Sequence, residues 1–464
     1  MTSRRTAAAL AGVAVALALL PGAAAAGDPA GGNEALPCTG SAACAASLGQ
    51  GNVCIDGRCQ PYADRRDIFN VLGLKQGAPQ APETLVPLVA GVPAIGYSPS
   101  SGVLFGLAGT AGMLLGDGRD TTISSATATL LYTTKNQVIV QLAATALLPG
   151  NTWELLADWR YLIFNQDTYG LGTSSTPLQD GITLNGWGDL AEVDGAQPMD
   201  FDLLRFHQSA LRRVKGSVYL GAGYRLDRYT HVVDHRLDPA ATPAVLTSHY
   251  AYSLMKGFDP AGYTASGLSL EAVSDSRDST IAAYRGWYGH LRFTGYPTWL
   301  GSDRSATLVS VEGRWYLGLR AEDPRNVLAF WAMASGVTSG RLPYLALPSS
   351  GWDARSTSGR GYVQGRFRGT SMAYGEVEWR FRITDDGLWG GTLFSSLQSY
   401  ARPAVELPEY GYSERGEKLF DAVRVAAGGG LRLMLLRQSR TALRLDLAAG
   451  QRSLGFYLGA GEAF

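Results

Sequence analysis

The chain has few charged residues and no excess of either sign. Charged side chains make up 17% of its 464 residues, and 40 Lys and Arg balance 40 Asp and Glu. No run of basic residues occurs, so the electrostatic footprint of a nucleic-acid-binding protein is missing and we expect no nucleic-acid partner. A soluble protein of this size usually carries more charge, so the composition is unusual for a soluble protein.

Catalytic and metal-binding motifs are missing too. The sequence contains no H-E-x-x-H, no G-x-S-x-G and no phosphate loop, and it has only five His. His231 and His235 have the spacing of helical metal ligands, but they fall at a strand end and in a loop. We therefore predict that the protein is not an enzyme and holds no cofactor or metal.

Long apolar runs are absent after the N-terminal region. Arg4 and Arg5 precede an apolar stretch at about residues 7–20, which the small residues 23–26 follow. This is the layout of a cleavable secretory signal, so we predict a signal peptide over residues 1–26. The apolar stretch is shorter than the roughly 18 residues that a membrane-spanning helix needs.

Cysteine is confined to one short stretch after the predicted signal. Cys38, Cys44, Cys54 and Cys59 all lie in residues 27–60, which we predict to be a Cys-rich periplasmic segment. In an oxidising compartment four such cysteines favour two disulfides, with three possible pairings left open, and the spacings lack the tight pair typical of zinc sites. Residues 61–85 are predicted to be a linker with at most a short helix around residues 68–74.

From residue 86 onward, apolar and polar side chains alternate with period two. Leu443, Leu445 and Leu447 lie on one face of such a segment, and Arg444 and Asp446 lie on the other. Because a soluble sandwich also alternates, the length of the segments decides: they run about ten or more residues, as tilted membrane strands do. Aromatic residues on the apolar faces are typical of interfacial girdles, and they include Trp153, Trp159, Trp287, Trp315 and Trp379.

Sixteen such segments can be counted, which predicts an all-β fold: a 16-stranded antiparallel transmembrane β-barrel over residues 86–464 behind a small disulfide-rich periplasmic segment. Short and longer connections alternate between the segments, so we expect both termini in the periplasm of a Gram-negative cell. The segments are residues 86–97, 102–115, 121–133, 137–148, 152–164, 201–214, 217–231, 263–274, 286–296, 306–319, 327–337, 371–383, 391–400, 423–436, 441–449 and 454–464.

Several motifs carry a family resemblance. Residues 95–99 (IGYSP) and 169–172 (YGLG), the SRD and RGWY stretches at 276–278 and 285–288, and above all RGYVQGRFR at 360–368 followed by EWRF at 378–381 are the residues concerned. Together they resemble the BamA/TamA superfamily of outer-membrane barrels, the bacterial surface antigen family. The resemblance covers about residues 86–464.

The resemblance implies a sixth loop that folds back into the barrel, where its arginine pairs with acidic residues of the wall. Glu378 and Glu376 would be these lumen partners, and Ser396 stands where the family often has another acid, so we expect a looser attachment. A guanidinium fork can fix a loop through carboxylates in this way. The loop motif residues are Arg360, Gly361, Tyr362, Gly365, Arg366 and Phe367.

The resemblance also implies a barrel signal at Phe456, Leu458 and Phe464 on one face, read by the barrel-assembly machinery, with Glu462 on that face as a departure. Fewer than sixty residues separate the predicted cleavage site from the barrel, so we expect a short member without POTRA domains. Aid to protein insertion or translocation at the outer membrane is the expected function, with lipids and a client protein as partners. A passive or gated pore and a structural barrel without transport remain alternatives.

Overall fold

The computed structural model describes residues 52–55, 58–61, 67–73, 85, 87–98, 102–117, 120–174, 183–185, 188–189, 196–242, 244–320, 323–410, 412–437 and 439–464. The predicted signal peptide, Cys38 and Cys44 lie outside them. A short hairpin of Asn52–Ile55 and Arg58–Pro61 places Cys54 opposite Cys59 in the backbone register, and the pairing of the cysteines stays a prediction.

Two α-helices occur in the described residues. Helix α1 (Ile68–Val71) falls within the predicted linker, and the buried Asp67 before it pairs with Arg437, whose Nε lies 3.7 Å from the Asp67 Oδ2. Helix α2 (Ser248–Lys256) begins where Thr247 accepts a hydrogen bond from the Tyr250 amide and ends at Gly257 with a φ of 74°. Neither is both long and apolar enough to cross a bilayer.

Sixteen long strands form the body of the molecule. They are β1 (Leu88–Ser98), β2 (Gly102–Met113), β3 (Ser124–Thr133), β4 (Val138–Leu147), β5 (Trp153–Thr168), β6 (Gln197–Lys215), β7 (Val218–Asp234), β8 (Tyr263–Asp275), β9 (Gly286–Tyr296), β10 (Ala306–Gly318), β11 (Val327–Gly340), β12 (Ser371–Arg382), β13 (Trp389–Ala401), β14 (Arg424–Leu436), β15 (Thr441–Gly450) and β16 (Ser453–Ala460).

Each strand pairs antiparallel with the next one along the chain, from β1 with β2 to β15 with β16. In the sheet order β16 stands beside β1, which makes the sheet a barrel. The sixteen predicted segments correspond one to one with these strands, so the predicted 16-stranded antiparallel barrel is confirmed, whereas the disulfide-rich segment stays a prediction.

The alternating pattern explains why the sheet curls around a polar interior. Along β15, Leu445 and Leu447 are exposed on the outside, whereas Arg444, Asp446 and Ala448 are buried inside. Leu447 is 58% exposed and Asp446 is fully buried. Since successive strand side chains point to opposite faces, this one segment fixes both the apolar outer surface and the charged lumen.

The outer surface is a continuous apolar belt. Large hydrophobic side chains are exposed on most strands, and tryptophans stand among them as predicted, including Trp153, Trp159, Trp287, Trp315 and Trp379. A water-soluble protein rarely exposes a contiguous apolar area of this kind. Lipid tails, by contrast, match it, so the barrel is a transmembrane one.

One end of the barrel carries the long loops and the other carries the turns. At the long-loop end, α2 packs on aromatic side chains that close the lumen: the Tyr252 hydroxyl donates to the Leu342 carbonyl at 3.0 Å, and Tyr229 donates to the Leu345 carbonyl at 3.0 Å. Tyr344 is fully buried among them. The long-loop end is therefore capped by a hydrophobic layer.

Candidate functional site

The sixth loop, residues 341–370 between β11 and β12, folds into the lumen and brings Arg360 onto three carboxylates. One guanidinium nitrogen lies 2.6 Å from Asp446 on β15, and the other lies 2.5 Å from Glu376 and also contacts Glu378 on β12. All four side chains are almost fully buried. We call Arg360, Glu376, Glu378 and Asp446 the Arg360 cluster.

Burial lowers the pKa of the Arg360 guanidinium, but the three carboxylates outweigh burial and raise this pKa well above its usual value. The guanidinium also lies over the Phe394 ring, 3.5 Å from its centroid. A planar fork of donors can serve several carboxylates at once, which a lysine ammonium could not do from one position. The loop is thus held at a fixed point of the wall.

Further arginines balance the acids of the cluster. Arg380 bonds Glu378 at 2.7 Å, Arg432 bonds Asp446 at 2.6 Å, and Arg444 lies 3.5 Å from Asp446. Glu462 pairs with Arg432 at 2.8 Å. Four arginines and four acids thus form one neutral network, so the absence of an acid at Ser396 is made up by Asp446 from another strand.

The other motif residues also touch the wall. Gly361, with a φ of 99°, runs so close to β14 that a Cβ there would lie 2.8 Å from the Ala426 Cβ. The Tyr362 hydroxyl donates to the Val425 carbonyl at 2.8 Å. Glycine is needed at Gly361 both for its left-handed backbone and for this close approach.

The end of the motif packs on aromatic rings. Phe367 is fully buried and stacks on Tyr400 with ring centroids 5.8 Å apart. The Arg366 guanidinium lies 4.4 Å from the Tyr169 ring centroid. Gly365, with a φ of 76°, lies against Gln166, whose side chain donates to the Gln364 carbonyl. The structure therefore brings all six predicted motif residues against the barrel wall or its early outer loop.

A second segment enters the lumen from the turn end. Residues 276–285 connect β8 and β9 and contain the SRD stretch and the first residue of RGWY, and their middle part, from Ser279 to Ala283, is buried. Asp278 pairs with Arg440 of another turn at 2.7 Å. Arg355 of the sixth loop donates to the Thr280 carbonyl at 3.0 Å, so segments from opposite ends meet inside the barrel.

The C-terminal residues differ from the prediction. Leu458 is exposed on the outer face of β16, but Phe464 is 2% exposed inside the lumen, where it stacks on Trp331 at 5.1 Å. Phe456 is only partly buried. The prediction of one shared face is wrong for Phe464, and Glu462 lies in the lumen as well, because β16 ends at Ala460 and Gly461, with a φ of 84°, breaks the period of two.

The junction of β16 and β1 differs from the other strand junctions. β16 pairs antiparallel with β15 and stands beside β1 in the sheet order, and it also pairs in parallel with the short segment Thr183–Asn185. At eight residues β16 is the shortest of the sixteen strands. Gly455 and Gly459 lie in it, and Pro93 in β1 has no backbone N–H to donate; residues of both kinds weaken the pairing of strands.

Neither a family model nor a curated protein matches the sequence. Among solved structures, BamA from Haemophilus ducreyi lacking POTRA domains 1–3 is 15% identical, with 80% of this chain and 67% of that chain covered and a TM-score of 0.44. CdiB from Escherichia coli is 12% identical, with 80% and 60% covered and a TM-score of 0.45. This chain therefore spans less than two thirds of CdiB.

The chain is a 16-stranded β-barrel, and its fold is similar to those of BamA and CdiB. Wzi, an outer membrane protein involved in group 1 capsule assembly in Escherichia coli and a carbohydrate-binding β-barrel, also matches at 10% identity, with 81% of this chain and 80% of that chain covered and a TM-score of 0.24. At these identities the likeness concerns the fold alone. What the barrel does follows from its own geometry.

The sequence pointed to Arg360, Glu376 and Glu378, which lie together, but not to Asp446 and Arg432 as members of the same network, nor to the entry of residues 276–285 into the lumen. Asp446 could have been found, because the alternation of β15 already placed its carboxylate in the lumen. Which lumen residues meet across the barrel depends on strand tilt and loop path, and no local pattern records these.

Proposed function

We propose that the protein resides in the bacterial outer membrane with its turn end in the periplasm and aids the insertion or translocation of client proteins there. The observation that carries this proposal is the β16–β1 seam, where the shortest of the sixteen strands, which contains Gly455 and Gly459, meets a strand that contains Pro93. A weak seam can part sideways and offer free strand edges to an incoming polypeptide.

The closed lumen supports this reading over an open channel. The aromatic cap, the sixth loop and the turn-end segment each fill part of the interior, and Arg355 joins the last two. Water-filled conduction needs a continuous path along the axis, and these elements take up part of the space that such a path would use. A lateral route through the seam does not need this space.

A seam cross-link tests the proposal. In a background with the four native cysteines replaced by serine, one cysteine at Gly91 is combined in turn with a cysteine at Leu454, Phe456 or Leu458. The oxidised protein is placed in lipid vesicles, and the folding rate of a urea-denatured outer-membrane barrel added to them is measured by its heat-modifiable migration in gels. We expect that the protein accelerates folding of the added barrel, that the seam cross-link abolishes this acceleration, and that reduction of the disulfide restores it.

The matched control joins Leu445 to Leu458, which are register partners in the β15–β16 ladder. This cross-link leaves the seam free, so client folding should proceed as in the uncross-linked protein. Equal acceleration with the seam locked and unlocked would count against the proposal.

A pore stays the second candidate, because several lumen arginines, among them Arg225 and Arg292, line an internal cavity. Planar-bilayer recordings separate the two functions. The pore reading requires steady conductance that rises sharply when residues 350–368 are removed. Absence of conductance in both proteins, together with active client folding, supports the seam.

A further inference from the structure

A cavity of about 330 Å³ lies in the lumen beside the tip of the sixth loop. The wall around it comes mainly from β5 to β11, and the Arg360 cluster takes no part in it. Hydroxyl groups of Ser209, Thr294 and Ser310 lie in its lining. The volume is at the lower end of the range of small-molecule sites, roughly 300 to 1,000 Å³.

Six arginines line this cavity, and half of them have close carboxylate partners. The shortest N–O distances of these three pairs are 2.6, 2.7 and 2.5 Å, for Arg205 with Asp227, Arg277 with Asp275 and Arg314 with Glu312 respectively. These pairs neutralise themselves. The other three arginines, Arg225, Arg292 and Arg355, are differently placed.

Arg225 on β7 donates to a histidine instead of an acid. Its guanidinium lies 2.7 Å from the His207 Nδ1, and the His207 Nε2 lies 3.1 Å from Asp227. Because a guanidinium can only donate, Nδ1 is the unprotonated nitrogen and the imidazole is neutral. Asp227 is already taken by Arg205, and no carboxylate of the described residues lies within 4.0 Å of Arg225. Its charge therefore faces the cavity.

Arg292 on β9 repeats the arrangement. It lies 3.3 Å from the His290 Nδ1, and the His290 Nε2 lies 2.7 Å from Glu271. The Glu271 Oε1 is 3.4 Å from the Arg292 Nε but accepts hydrogen bonds from two serines. The Arg292 Nε has no hydrogen-bond partner among the described residues. A second guanidinium is thus incompletely satisfied at the same cavity.

Arg355 adds a third charge from the sixth loop. Its one side-chain hydrogen bond in the described residues goes to the Thr280 carbonyl at 3.0 Å, and no carboxylate there lies within 4.0 Å of it. Three half-buried arginines without full acidic compensation thus face the same cavity, where their charges favour an anion.

We propose that this cavity binds a small oxyanion, a phosphate or carboxylate group, between the guanidinium groups of Arg225, Arg292 and Arg355. The flat forks of arginine match the oxygens of such groups, and the Thr294 hydroxyl, which has no hydrogen-bond partner among the described residues, supplies a further donor. The neutral histidines keep the first two arginines in place while leaving their charge for the ligand. Binding here is independent of the seam and of client insertion.

Isothermal titration calorimetry on the detergent-solubilised full chain tests the site, with inorganic phosphate, glucose 6-phosphate and succinate as separate probes. We expect at least one to bind saturably and stoichiometrically. Arg225→Gln and Arg292→Gln should each weaken binding roughly 10- to 100-fold, the loss expected for a charged hydrogen bond. Arg225→Lys keeps the positive charge but not the planar fork of donors, so its affinity should lie between those of the native chain and Arg225→Gln. The control is Arg228→Gln, an exposed arginine on the same strand, which should bind as the native chain does.

The three probes separate the sources of the anion. Binding of phosphate alone indicates a free ion, preference for glucose 6-phosphate indicates a phosphorylated sugar, and preference for succinate indicates a carboxylate ligand. Two results overturn the proposal: no saturable heat with any probe up to on the order of 10 mM, or equal binding by the native chain and the correctly folded Arg225→Gln and Arg292→Gln variants. Folding is checked by heat-modifiable migration, which does not depend on the ligand.

Discussion

Replacing Arg360 with methionine should destabilise the barrel more than any exposed arginine substitution. The change leaves Glu376, Glu378 and Asp446 buried with one positive charge fewer, in a network that is otherwise balanced. Removing one partner of a buried ion pair typically costs about 3 to 5 kcal/mol, since the remaining charge is left without water or counter-charge. The free energy of unfolding should fall by about this amount.

The assay is urea-induced unfolding in lipid vesicles, followed by the tryptophan fluorescence of the ten Trp in the chain. A double-mutant cycle sharpens it. Glu376→Gln alone should also destabilise, but added to Arg360→Met it restores the charge balance, so the double variant should be more stable than the sum of the single effects requires.

Arg304 provides the matched control. It is exposed, and its guanidinium donates to the Gly257 carbonyl at 2.8 Å instead of to an acid. Arg304→Met should change the free energy of unfolding by about 1 kcal/mol or less. If Arg360→Met had an equally small effect, or if the double-mutant effects were simply additive, the Arg360 cluster would not be what holds the sixth loop.

Two further predictions test the outer face and the C-terminal residues. Leu270 is 69% exposed near the middle of β8, and Leu270→Arg should lower the free energy of unfolding of the barrel by about 2 to 4 kcal/mol. Val233→Arg, near a strand end, should lower it by only about 0 to 1 kcal/mol. Equal losses for the two variants in vesicle unfolding would contradict a bilayer around the belt. Phe464→Ala should remove about 3 to 5 kcal/mol, because the ring stacks on Trp331 in the lumen. The same unfolding assay measures it, and a loss below about 1 kcal/mol would place the ring outside the packed interior.

The barrel wall could be predicted from the sequence because its rule is local. Leu445, Leu447 and Asp446 show the alternation within a few residues, and each strand repeats it. The interior could be predicted only where a motif carried the information, as with Arg360. The chain turns into the lumen at Gly461 because of one backbone angle of this residue. An alternation with period two does not predict such a turn.

The burial of the turn-end segment, residues 276–285, could not be predicted from the local sequence either. Thr280 and Ile281 have no polarity pattern that marks them as interior, and they are buried because Asp278 is fixed by Arg440, which lies 162 residues further along the chain. Contacts of this range are decided by how the strands tilt and stagger around the barrel. Local composition cannot supply them.

The Arg360 cluster joins the sixth loop, which fills part of the lumen, to strands from both the middle and the end of the chain. Arg360 contacts Asp446 across 86 residues of the chain, so the full set of contacts of Arg360 forms only when β15 is in place. A barrel that lacks its last three strands holds Glu376 and Glu378 against Arg360 and Arg380, without Asp446, Arg432 and Arg444. The complete ion-pair network of the sixth loop therefore requires the C-terminal strands of the barrel.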